Sequence, residues 1–130
     1  MMKFLSVEKI IELNLLALNL IAVKKADQAK VLSKSKIAEI VESCKTLNGD
    51  VYDHAVFLLK QIVQKHAFAS GNRRTAFLVM KYFLVLNKQK LRISDNPENA
   101  RVMQGIRENY YSDNELKEWI KNGKIRNFQR

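Results

Sequence analysis

With 130 residues, 47% of them hydrophobic, the chain has material for one ordinary core, and no shift in composition marks a second domain, so residues 1–130 read as a single domain. The lone cysteine, Cys44, excludes an intrachain disulfide framework or a cysteine metal cluster and favours a reducing compartment. A net charge of +10 admits nucleic acid, an anionic surface or an acidic protein as partner, but the basic residues are spread from Lys24, Lys25 and Lys30 to Lys121, Lys124 and Arg130 without interleaved aromatics, which disfavours nucleic acid.

Four glycines and one proline leave few places to turn, and apolar residues recur at spacings of three and four, so the chain reads as all-α. Ser6 caps a first helix predicted to reach Val23, with Val7, Ile10, Ile11, Leu13 and Leu20 among its apolar positions. Asn14 and Asn19 interrupt its apolar run, and Glu8, Lys9 and Glu12 precede it, which argues against a membrane span or signal segment. A cytoplasmic protein without a membrane partner is expected. A polar connection, Lys24 to Lys34, leads to a short helix over Lys36 to Lys45, where Cys44 joins Ile37, Ile40 and Val41 as a buried thiol. The turn Asn48-Gly49-Asp50 precedes a third helix, opened by Asp50 with Asp53 and running to His66. Asn72 to Asn87 is apolar almost all round, the pattern of a central buried helix in a bundle. Asn96-Pro97-Glu98 supplies cap, first-turn proline and acid for a helix through Met103. Ser112 and Glu115 form a capping box for the last helix, which Gly123 ends, and Lys124 to Arg130 reads as a frayed, solvated basic tail.

The segment from His66 to Thr75 places an imidazole at one helix end and two guanidinium groups at the start of the next. Unpaired amides at a helix N-terminus favour an anion, Gly71 permits close backbone approach, and Arg73 and Arg74 add charge-assisted contacts. Two arginines in a first helical turn oppose the helix dipole by about 0.3 to 1 kcal/mol each, a penalty that a bound phosphate offsets. Imidazole is the side chain that changes charge near neutral pH, which makes His66 the candidate general base. Phe68 reads as the apolar anchor of the loop. The competing reading is a histidine and two arginines on a solvated loop. His54 has no matching neighbours and reads as a surface or capping histidine.

The segment resembles the signature of the Fic/Doc superfamily: histidine, any residue, Phe, any residue, acid, Gly or Ala, Asn, Gly or Lys, Arg. His66, Phe68, Gly71, Asn72, Arg74 and Thr75 coincide with it, and the order and length of the surrounding helices are similar to those of the small death-on-curing (Doc) toxins. The resemblance implies a Fic/Doc-type all-α bundle around a central buried helix. It also implies that His66 deprotonates a Ser, Thr or Tyr hydroxyl of a target protein, with a translation elongation factor as the family's known type of target, that Asn72 and the loop amides bind the anion, and that Arg74 holds a nucleotide phosphate. Arg73 stands where the death-on-curing branch has Lys, which implies transfer of a terminal phosphoryl group from ATP or another nucleoside triphosphate. Nucleotidyl (AMP) transfer is the alternative.

Two positions depart from the signature. Ser70 stands where the family has a metal-binding acid, so Mg²⁺ is expected to be weakly held and a catalytically impaired binding module is a further alternative. Phe77 stands where nucleotidyl-transferring members carry a second arginine. Thr46 to Asp53 occupies the place of the family's strand-like flap. Ser94 and Glu98-Asn99 match the family's inhibitory motif literally, but Pro97 places them around a helix start rather than on one helical face. A separate antitoxin with an acidic segment is therefore expected to restrain the chain.

Overall fold

The computed structural model describes residues 1–20 and 27–129, and within them the chain forms six helices. Helix α1 spans Val7–Leu20, α2 Lys34–Thr46, α3 Val51–Lys65, α4 Asn72–Leu86, α5 Asn99–Arg107 and α6 Asp113–Asn122. The expected extension of α1 to Val23 and the start of the following polar connection fall outside the described residues. No strand occurs among the described residues; Val31 and Phe68 form an isolated antiparallel bridge.

Helix starts follow local chemistry. Ser33 accepts from the Lys36 amide and starts α2 at Lys34, two residues earlier than the sequence suggests. Asp50 and Asp53 form a reciprocal capping box on α3, as Ser112 and Glu115 do on α6. Helix α5 begins two residues after Pro97, because Pro97 and Glu98 form a turn in which Asn96 Oδ1 accepts the Glu98 amide at 2.9 Å; the helix then continues past Met103 to Arg107.

Helices α3 and α4, joined by a short loop, pack back on each other as an αα-hairpin, and α1 lies on the other side of α4. Helix α2 bridges α1 and α3, while α5 and α6 lean on α3. Ala76, Val79, Met80, Phe83 and Leu84 of α4 are buried, with Ile10, Leu13 and Ala17 of α1 and Leu58, Leu59 and Ile62 of α3. This is an all-α bundle around a buried central helix. Cys44 lies in the same core, and burial pushes its thiol up to about 11.

Two expectations are corrected. His54 is buried rather than superficial: its Nδ1 lies 2.8 Å from the Asp50 carbonyl, and its ring stacks near Phe83 and is tilted against Phe4. The basic tail is packed down rather than frayed through Phe128, whose ring is buried against Tyr110 and whose carbonyl accepts from Arg101 Nε. The stretch Thr46 to Asp53, in the place of the family's flap, comprises the end of α2, four residues outside any helix with Leu47 and Asp50 extended, and the start of α3.

Candidate active site

Helix α3 ends where His66 turns into the left-handed region at φ 52° and ψ 53°, and α4 begins after Gly71 at φ 73°. A left-handed residue other than glycine is costly, so the histidine at this C-cap is held by its surroundings. The loop between them is folded by Asn72. Its Oδ1 accepts the Phe68 amide at 3.1 Å, and its Nδ2 donates to the Phe68 carbonyl at 2.8 Å and approaches His66 Nδ1 at 3.2 Å. The two bonds to Phe68 fix which end of the amide is which. Asn72 is therefore the donor to His66, and Nδ1 carries the lone pair. The contact is long for a hydrogen bond, so an incoming hydroxyl can displace it at low cost. Phe68 itself is buried and anchors the loop in the core.

The N-cap of α4, Gly71, provides no side-chain acceptor, so nothing of the cap competes with a ligand for the first-turn amides. A Cβ at Gly71 would lie 2.8 Å from Leu18 Cδ2 and 3.4 Å from Arg74 Nη2, so glycine is required there for space as well as for backbone conformation. Arg73, the second residue of α4, is exposed, and so is His66. Arg74 is largely sequestered and forms a two-pronged pair with Asp27, Nη1 to Oδ2 at 3.0 Å and Nη2 to Oδ1 at 3.1 Å.

Ser70 is engaged in backbone bonding. Its hydroxyl accepts the Gln28 amide at 3.0 Å, its carbonyl accepts from Asn14 Nδ2 at 3.1 Å, and no group of three acidic, histidine or cysteine side chains suited to a metal occurs among the described residues. The donors present therefore do not fit a protein-held Mg²⁺. Thr75 is fully buried, and its Oγ1 accepts from Asn14 Nδ2 at 2.9 Å.

The structure thus gathers His66, Phe68, Ser70, Gly71, Asn72, Arg73, Arg74 and Thr75 at one end of the α3–α4 hairpin. Two contributors were not apparent in the sequence. Asn14 sits in register with Ile10, Leu13 and Ala17 on the buried face of α1, and a polar residue in that register was the available signal. Asp27 carried no local signal, because it lies in a polar connection whose contact is made across the fold.

The Ser94 and Glu98 match to an inhibitory motif does not form one helical face: Ser94 lies outside any helix, its carbonyl accepting from Asn99 Nδ2, and Glu98 is the N-cap of α5.

A search of curated proteins finds no match to the chain. The sequence profile of the Fic/DOC family matches residues 5–84, which covers α1 through the buried part of α4 and includes the whole signature loop. Members of that family are typically transferases of the nucleotidyl- or phosphoryl-transferring type. The matched span together with the all-α bundle establishes that this chain belongs to the Fic/DOC family.

Proposed function

We propose that the protein is a phosphotransferase of the death-on-curing kind, moving the terminal phosphoryl group of ATP or a similar nucleoside triphosphate to a hydroxyl of a target protein. The observation that carries this reading is the arrangement of His66 and Asn72 in one contact beside exposed Arg73, at a helix start without a side-chain cap. His66 Nδ1 takes the proton of the attacking Ser, Thr or Tyr hydroxyl as that hydroxyl displaces Asn72. The hydroxyl oxygen forms a bond to the γ-phosphorus, the bond from that phosphorus to the β–γ bridging oxygen breaks, and the nucleoside diphosphate departs with the electron pair. Asn72, the first-turn amides of α4, Arg73 and Arg74 supply positive potential where phosphate charge collects. Basic Arg73 in place of a small residue favours the terminal phosphoryl group as the one delivered to His66. No step is assigned to protein-held Mg²⁺, since Ser70 already accepts a backbone amide and Asp27 already engages Arg74.

The +10 chain suits an antitoxin with an acidic segment as its restraint, and no helix among the described residues is long and apolar enough to cross a membrane. The test is incubation of wild type and His66→Ala with a lysate and ATP labelled on the γ-phosphate or, separately, on the α-phosphate. Protein labelling from the γ-label only, lost in His66→Ala, is expected. Labelling from the α-label would make the enzyme a nucleotidyltransferase, and none from either would leave a binding module.

A further inference from the structure

We infer that Asp27 is a positioning residue that holds the Arg74 guanidinium in place for the nucleotide phosphates; this rests on the phosphotransferase reading of the same loop. The pair is two-pronged and little exposed, with 17% of the Arg74 side chain and 13% of the Asp27 side chain accessible. The backbone that follows Asp27 is itself fixed. The next residue, Gln28, donates its amide to Ser70 Oγ at 3.0 Å, the Lys30 carbonyl accepts the Ala69 amide at 2.9 Å, and the Leu32 amide donates to the Ala67 carbonyl at 2.8 Å. Residues 27–32 are thereby strapped across the signature loop, and Val31 is bridged to Phe68.

Geometry on the other side completes the hold. The guanidinium lies so close to the N-cap of its own helix that a Cβ at Gly71 would be 3.4 Å from Nη2 and 3.6 Å from Cζ. The two bonds to Asp27 engage one N–H of each terminal nitrogen, Nη1 and Nη2, and so fix the plane of the guanidinium. An arginine is otherwise a long side chain with many rotamers, and one already fixed in plane loses less freedom when a phosphate arrives. In the contrasting role, in which Asp27 is a competitor that phosphate must evict, neutralising the carboxylate would tighten nucleotide binding.

The experiment uses the full chain and a non-hydrolysable ATP analogue in isothermal titration, with Asp27→Asn, Asp27→Glu, Arg74→Ala and the double variant Asp27→Asn with Arg74→Ala. Melting curves followed by circular dichroism establish that each is folded. Asp27→Asn is expected to weaken binding about tenfold, Asp27→Glu to recover part of the loss, and Asp27→Asn to have no further effect in the Arg74→Ala background. Unchanged binding, tighter binding, or an equal loss with and without Arg74 would each overturn the assignment, the last because a merely structural strap damages the site whether or not the arginine is present. A wild type that binds no nucleotide sinks the phosphotransferase reading instead. The hold on Arg74 is then read without ligand from its Nε–H resonance, expected sharp in wild type and broadened in Asp27→Asn, and an unaltered resonance overturns it.

Discussion

His66 is placed at a cost, since it sits in the left-handed region where glycine is the residue of least strain. His66→Gly is therefore expected to stabilise the fold by about 1 kcal/mol, read as a higher Tm, while abolishing transfer. His66→Ala is expected to keep the fold and lower the transfer rate by roughly two to four orders of magnitude, as loss of a general base does. A folded variant with undiminished transfer would remove His66 from the mechanism. The signature residues were legible because their chemistry is local, an imidazole, an amide and two guanidinium groups within ten positions. Asp27 was not, because its contact joins positions 47 residues apart in a stretch without periodicity. Ser70 lies between these cases: the sequence exposed the missing carboxylate, and the fold added that the hydroxyl already pins Gln28. Ser70→Asp places an anionic oxygen beside the phosphate site, so Mg²⁺ is expected to bind more tightly in the presence of nucleotide and transfer to rise. Titration of Mg²⁺ into the nucleotide-bound variant checks this, and affinity equal to wild type would mean that the side chain stays on the strap.

Helix α6 shows how much an element's ends depend on what lies beyond it. Its capping box and its left-handed Gly123 were readable from SDNE and the lone glycine, since both act within a few residues. The segment beyond Gly123 was not readable as packed. Arg126 pairs with Glu115, lies 3.9 Å from the centre of the Tyr110 ring, and donates to the Tyr110 carbonyl, contacts that a run of basic residues does not announce. That arginine, helped by the Ser112 amide, holds the Glu115 carboxyl down to about 2, below its ordinary 4.5. A depressed carboxyl stabilises the fold fully above its unfolded value and loses that contribution as pH falls from there toward the folded value. Wild type is therefore expected to lose stability between about pH 4.5 and 2, and Glu115→Gln to be less stable at neutral pH with a shallower fall over the same window. Denaturant melts across that window provide the measurement, and parallel curves for the two proteins would show that the pair contributes nothing. The same corner fixes Gly105 in α5. An added Cβ would lie 2.6 Å from Tyr111 Cε2 and 3.1 Å from Phe128, so Gly105→Ala is expected to cost about 1 to 3 kcal/mol and loosen the tail.

At the scale of the whole molecule, the helical class was legible because one period dominates the apolar pattern, whereas the packing of the tail and the strap is decided by contacts between distant segments. Charge is the remaining global property, and two of its effects oppose each other under salt. Ion pairs such as Lys9–Glu12 and Lys45–Glu42 lie at the surface, and exposed pairs contribute little and are screened readily. The excess of 23 basic over 13 acidic residues repels itself in the folded state over distances longer than any one pair. At about 10 mM salt the screening length is near 30 Å and spans the whole domain; at about 150 mM it falls to near 8 Å, which removes most repulsion between distant lysines. The sparingly exposed Asp27–Arg74 pair is screened least and survives the change. The Tm is therefore expected to rise as salt is increased over that range, with the gain levelling off once the screening length is shorter than the spacing of the surface lysines. Scanning calorimetry of the wild type at constant pH in a salt series checks this. A Tm that falls with salt would show that the exposed pairs outweigh the net charge, and that the +10 excess is locally neutralised rather than acting as one field.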